Sequence, residues 1–537
     1  MATPSFAVPD LARATADWID CLGAANVISE QAVLAAASTA TFETRGRALA
    51  VIRPGTVEEV QAAVRIANQY RIALYPVSSG KNWGYGSRAP IADGVIVDLS
   101  RMNRIVELDE DLAFVTVEPG VTQRQLFDFL HARGSRLWMD ATGSSPDCSI
   151  IGNTMERGFG HTPMADHCGN ATAFEVVMPT GEVVRTGYAR FDPAAPGALG
   201  RSGVGPSLDG LFAQSNLGIV TRMSVWLMPK PESFRAFFFM CKDGAGLSEL
   251  VDALRPLRLD GTLRSTIHIG NDYKVLAGAR QYPWAEMDGR TPLDLDTMAR
   301  LRGEMKAGAW NGAGGLYGSR AAVKDAAGRL RRALRGKVDR LQFVDDRLLA
   351  LMSRFATPFR VMTGWDVSQT LAVLAPVYGL LKGVPTNGPM SSVYWRKRMP
   401  APADPDPDRD GCGLLWCSPV LPAHGKHAET VTQLAARLLL AHGFEPQMSL
   451  SLATERSAVC VITISYDRDV PGEDFRAMTC FEELTRELMS RGYPPYRANV
   501  ASMSYADGAA AHVEVVGRIK KALDPNGVLS PGRYAPR

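Results

Sequence analysis

The chain has 537 residues, 46% of them hydrophobic and 21% charged, with a formal net charge of +3. That length can bury more than one core and predicts at least two domains of an ordinary globular protein. Near-neutral charge with no stripe of Lys and Arg argues against nucleic acid as a partner, and no run of about eighteen apolar residues marks a membrane span.

The N-terminus, MATPSFAVPDLARATADWIDC, lacks a basic start followed by an apolar block. A cytoplasmic location is therefore expected, with the periplasm still open. Residues 48–53 (ALAVIR) read as a strand, and Thr56 with Glu59 forms a capping box for the helix TVEEVQAAVRIANQY. IALYPVSS leads into the loop Ser79–Ser87, and GVIVDLS, RIVELD and FVTVEPG read as three more strands with short turns between them. A second capped helix, VTQRQLFDFLHARG, has Thr122 and Gln125 as its box. FEVVMPTGEVVRTG reads as a β-hairpin, and IVTRMSVWLMPKP closes this portion. Strands and helices mix here without regular βαβ alternation, so the expected class is α+β.

From about residue 231 the texture changes. FRAFFFMC reads as a strand, while GLSELVDALRPLR and RAAVKDAAGRLRRALRG read as amphipathic helices of a second α+β domain. The Pro/Asp-rich APADPDPDRDG is expected to be an exposed loop, and DPNG near the end is a turn signal. The eight cysteines are scattered; Cys412 and Cys417 are close, but no second pair completes a zinc site. They are read as reduced thiols, mostly in the core, and no metal is expected.

Searches for GxGxxG after a strand, GxxxxGK[ST], HExxH and GxSxG find nothing, which removes the main support for Rossmann, P-loop, zincin and α/β-hydrolase chemistry. Glycine-rich loops remain. SGKNWGYGS (residues 79–87), ATGSSPDCSIIGNTMERGFGHTP (141–163) and QSNLGIV (214–220) let successive backbone N–H groups face an anion such as a pyrophosphate. Each loop alone also reads as a plain turn.

Together GKNWGYGS, VEPGVT, IGNTMERGFGHTP with MADH, DGLFAQSNLGIVT, WLMPKP, Tyr496-Arg497 in GYPPYRANV and DPNGVLSPGR carry a resemblance. The chain is similar to the flavoprotein family of vanillyl-alcohol oxidase, eugenol oxidase and the flavin subunit of p-cresol methylhydroxylase, in the same order over nearly its whole length. LRPLR and GAWNGAGGLYGS place it nearer the methylhydroxylase. The resemblance implies FAD, a FAD-binding domain from residues 1–230 completed by 481–537, and a cap over the flavin from 231–480. It implies that Tyr85, Tyr496 and Arg497 bind a small phenolic substrate. Ser79, Gly80, Lys81, Asn82, Gly84, Gly152, Asn153, Gly158, Gly160, His161, Gly218 and Ile219 are then expected to line the cofactor, with Trp83 packed beneath and Arg533 beside the flavin pyrimidine edge.

The implied activity is hydride removal from the benzylic carbon of a 4-alkylphenol or 4-hydroxybenzyl alcohol. A p-quinone methide then leads to hydroxylated, alkenyl or aldehyde product. The alternative is a FAD oxidase of unrelated alcohols or sugars. Resemblance to the methylhydroxylase implies a c-type cytochrome as acceptor, whose haem would come from outside because no CxxCH site occurs in this chain; the oxidase branch would use dioxygen instead, and a homodimer is the implied assembly. The pattern also departs from the family. Leu414 stands where the oxidases carry a flavin-bonded histidine, which leaves a tyrosyl link through Tyr394 or no covalent bond. Ser144 and Met390 occupy the positions of the family's acidic groups, so Asp147, three residues off register, is the remaining acid/base candidate. His167 matches a family histidine and reads as structural.

Overall fold

The structure, a computed structural model, describes residues 8–354 and 367–534. The first elements form where local signals place them. Ala48–Ile52 is a strand, and Thr56 caps the helix Val57–Tyr70 by accepting from the Glu59 N–H. A cap of this kind satisfies one orphan amide and stabilises by about 1 kcal/mol. The helix acts as a crossover, so Leu74–Val77 and Ala48–Ile52 both pair in parallel with Gly94–Asp98. One βαβ unit thus opens a chain whose remaining sheets are antiparallel.

The second sheet has five strands in the order Ile105–Asp109, Phe114–Val117, Ile219–Trp226, Ala171–Val177, Val183–Arg185. The expected hairpin pairs Val177 with Val183, and Thr122 caps the helix Gln123–Ala132. The end of the chain returns to this region. Leu529 bridges to Leu74, and the buried Lys520 ammonium donates to the carbonyls of Asn216 and Leu529.

The third sheet has eight antiparallel strands drawn from Ser233 to Asp467. Its central order is Trp310–Gly318, Ile267–Asn271, Gln447–Leu452, Ser457–Asp467, Cys412–Cys417. Side chains alternate between the faces of a strand, so pairing register assigns each residue to one side. Ile267, Ile269, Leu450, Ile462, Ile464 and Leu415 lie on one face, in a core shared with Leu254, Leu330, Leu439 and Leu484 of four covering helices. The other face carries His268, Gly270, Gln447, Ser449, Ser451, Thr463, Ser465 and Trp416. It also carries Leu414, Val459 and Val461 but is the more polar of the two, and its Trp416 and His268 meet the glycine-rich loops.

One loop differs from expectation. Asp404 is exposed, but Asp406 pairs with Lys81 at 2.7 Å, and Asp408 accepts from Trp83 Nε1 at 3.1 Å and Ser87 Oγ at 2.7 Å. A run of aspartates that reads as solvated finds its donors in the glycine loop 79–87. All eight cysteines are free thiols, six of them buried.

Candidate active site

Tyr85 is delivered by the loop after Leu74–Val77. Gly84 has φ of 76°, and a Cβ there would lie 2.7 Å from Trp416 Cδ1. Only glycine allows this approach. Tyr85 is consequently 3% exposed, with its ring edge-on to Trp416 at 5.9 Å. Tyr496 and Arg497 arrive from beyond the helix Glu473–Ser490. Their backbone is fixed by the Tyr496 N–H bond to the Ser418 carbonyl at 3.0 Å and by Gln214, which donates to the Tyr496 carbonyl at 2.9 Å. The Arg497 guanidinium stacks on the Tyr85 ring at 4.0 Å, and the two tyrosine rings are 6.4 Å apart. Phe159 packs against Tyr496 at 5.7 Å and stacks on His268 at 6.4 Å, which joins the trio to the polar sheet face.

Burial pushes the Tyr85 phenol well above its ordinary range; Tyr496 adds to this while Arg497 and the 2.9 Å bond with Ser418 oppose it. Burial alone would lower Arg497, yet Tyr496 and Glu156 hold it fully charged. Glu156 was hidden inside the motif MERG. Its carboxylate meets Arg533, lies 3.5 Å from Arg497 and accepts from the Tyr534 hydroxyl at 2.9 Å. Desolvation would raise it, but Arg533 and Arg497 together hold it below the usual carboxylate range. Two arginines far apart in sequence therefore meet at one buried acid, which the spacing of the motifs did not reveal.

The expected cofactor residues separate into two groups. Among the described residues, the backbone N–H groups of Ser79, Gly80, Lys81, Asn82 and Trp83 have no protein acceptor, whereas Gly84 N–H is held by Thr41 Oγ1 at 3.0 Å. Five successive unclaimed amides form the kind of concavity that binds a pyrophosphate. Side chains of this loop are engaged elsewhere: Lys81 pairs with Asp406, and Asn82 Oδ1 accepts from Arg497 at 2.5 Å. Trp83 packs beneath, beside Tyr394 and Leu414. The second group is committed internally. Gly152 and Gly158 N–H bond to Ser149 and Asn153, Gly160 N–H to Ala165, and His161 N–H to Asp140. Gly218 abuts Val176 and Phe212, and the Ile219 side chain is core.

His167 has a role. Its ring nitrogens lie 2.6 Å from Asp140 Oδ2 and 2.5 Å from Asn153 Oδ1, a network that fixes the loop carrying Phe159. Asp147 lies on the surface, paired with Arg124 at 3.0 Å, and is removed from the site as an acid/base candidate. Tyr394 donates to Asp410 at 2.6 Å in a buried cluster with Met390 and Leu414. His161 and His268 face one another at 4.3 Å, and burial keeps both below the ordinary imidazole range. Several buried polar atoms on the polar sheet face lack a partner, namely Trp416 Nε1, Thr463 Oγ1, Gln447 Oε1 and His268 Nε2. Arg497 Nε opposite them is likewise unpartnered. Groups of this kind cost free energy unless something polar meets them.

The arrangement has close counterparts. Residues 48–187 match the model of an FAD binding domain. The chain is 44% identical to 1'-carboxy-chondrochloren decarboxylase of Chondromyces crocatus over 98% of its own length and 97% of the relative's. It is 32% identical to the 4-cresol dehydrogenase [hydroxylating] flavoprotein subunit of Pseudomonas putida, over 90% and 87%. Among solved structures, p-cresol methylhydroxylase with substrate bound superposes with a TM-score of 0.87 at 28% identity over 99% of this chain and 98% of that one. The isoeugenol complex of 4-ethylphenol oxidase from Gulosibacter chungangensis gives 0.89 at 28% identity, covering 100% and 99%. The unclaimed amide cradle fits the cofactor these matches imply, and the chain belongs to the flavoprotein family of p-cresol methylhydroxylase and vanillyl-alcohol oxidase, as an FAD-dependent oxidoreductase.

Proposed function

We propose that this chain removes a hydride from the benzylic carbon of a 4-alkylphenol or 4-hydroxybenzyl alcohol. The observation that carries the reading is the convergence of Tyr85, Tyr496 and the charged, enclosed Arg497 at one point. A phenol loses its proton near pH ~10 in water. Beside a guanidinium and two hydroxyl donors, with water excluded, the phenolate becomes the favoured form. Ionisation drives electron density through the ring to the para carbon, and hydride loss there leaves a p-quinone methide. The cradle of residues 79–83 would hold FAD, which would supply the hydride acceptor. Glu156 neutralises one of the two arginines it touches and so keeps both in place without cancelling the charge offered to the phenolate. The test is anaerobic mixing with para-substituted phenols, simple alcohols and sugars while flavin absorbance is followed. Bleaching by the phenols alone supports the reading, and bleaching by alcohols or sugars alone favours the alternative oxidase.

The 44% identical relative is named as a decarboxylase, which favours a second outcome at the same site. If the carbon next to the benzylic one carries a carboxylate, the quinone methide can lose CO2. The C–C bond electrons become the new C=C bond, and the ring recovers its phenolate. Release of one CO2 per flavin reduced, with a vinylphenol product, is the corresponding measurement.

A further inference from the structure

Lys274 is part-buried, and it stands apart from the buried cations. Arg396 has Glu445, Lys397 has Asp467 and Asp469, Lys520 has Asp524, and Arg497 and Arg533 share Glu156. Arg258, which has no carboxylate within ion-pair distance among the described residues, is met by the carbonyls of Leu263, Ser265 and Ala453. The Lys274 ammonium has three protons to donate. Among the described residues it has one hydrogen-bond partner, Ser392 Oγ at 3.2 Å, and no carboxylate within ion-pair distance. A part-buried charge left in that state carries part of its desolvation cost, and that desolvation lowers its pKa to about 8.

Its place in the fold says what it awaits. The lysine stem lies over Gly270, where a Cβ would be 3.6 Å from Lys274 Cγ. Gly270 shares the polar sheet face with His268, two residues earlier on the same strand. Ser392 Oγ donates to the Pro389 carbonyl, and Pro389 and His161 both flank Gly143. The ammonium thus meets the segment that flanks His161, its stem lies on the strand face that carries His268, and Phe159 joins His268 to Tyr496. The unpartnered Thr463 Oγ1 on that face independently calls for a polar ligand.

We propose that Lys274, held by Ser392, receives a carboxylate on the para side chain of the substrate, so that the site takes a 4-hydroxyphenyl-alkanoic acid rather than a plain alkylphenol. This rests on the phenol reading above. The phenolic oxygen sits at Arg497 and the carboxylate at Lys274, so the benzylic carbon is held between two charge anchors.

The test compares anaerobic flavin reduction by 3-(4-hydroxyphenyl)propanoate and by 4-propylphenol in wild type, Lys274→Met and Lys274→Arg. Wild type should favour the acid, and the acid-to-alkylphenol ratio should fall roughly 10- to 100-fold in Lys274→Met, the scale of one charge-assisted hydrogen bond, with Lys274→Arg recovering part of it. An unchanged ratio overturns the proposal while leaving the phenol reading standing. Loss of bound FAD from Lys274→Met also overturns it, by assigning the lysine to the cofactor. If neither phenol reduces the wild-type flavin, the parent reading fails and takes this one with it.

Discussion

Arg497 owes its place to three contacts: the Tyr85 ring beneath it, Asn82 Oδ1 at 2.5 Å and Glu156 at 3.5 Å. Replacing it with lysine keeps the charge and loses the planar fork that stacks on Tyr85. Arg497→Lys should weaken phenol binding and slow flavin reduction by a combined ~10- to 100-fold, measured by anaerobic stopped flow. Glu156→Gln leaves two buried guanidiniums uncompensated and should cost about 3–5 kcal/mol. Because the folded state depresses the Glu156 pKa, its stabilisation is present above the unfolded value of 4.5 and is lost as pH falls below it. The melting-temperature gap between wild type and Glu156→Gln should therefore be large at pH 7 and close below pH 4.5. Tyr394 invites a separate assay, since Asp410 at 2.6 Å is placed to take its proton. If the flavin is tyrosyl-linked, acid-precipitated wild type stays yellow and Tyr394→Phe does not; colour retained in both excludes that link. Tyr85, Tyr496 and Arg497 were legible because each sits in a distinctive local motif. Glu156, His268 and Lys274 were not, because each acquires its meaning from a partner at least 100 residues away.

At the scale of elements, the glycine loop 79–87 is held down by the segment that had been read as solvated. Burial raises Asp408 to about 7, with Asp406 adding to the shift and the donors Ser87 and Trp83 opposing it. A folded-state pKa above the unfolded one makes this group's contribution greatest below pH 4 and steadily smaller as pH rises through 7. Asp408→Asn cannot ionise. Its melting temperature relative to wild type should rise between pH 5 and pH 8, and a gap independent of pH would show that Asp408 carries no such shift. Capped helices and alternating strands were readable because their determinants lie within four residues of each other. The packed Pro/Asp loop and the parallel pairing of the first strands depend on contacts that no local window contains.

Across the whole molecule, the substrate trio is assembled from both ends of the chain. Tyr85 comes from the first third, Tyr496 and Arg497 from the last tenth, and the polar face of the eight-stranded sheet closes over them. The order of motifs carried this arrangement in the sequence, while the sheet's two-faced character emerges only from register. The electron acceptor belongs to this scale too. On the cytochrome-coupled reading that the family resemblance implies, substrate-reduced flavin should reoxidise faster with an artificial one-electron acceptor than in air-saturated buffer; air reoxidation as fast as turnover makes the protein an oxidase.

In the proposed reaction, ionisation of a phenol at Arg497 precedes hydride loss. The most direct measurement is anaerobic flavin absorbance after mixing with 4-ethylphenol or with its methyl ether, 4-ethylanisole, which has the same benzylic carbon but no proton to lose. The phenol should bleach the flavin and the ether should not. Equal bleaching by the two would contradict that order of steps.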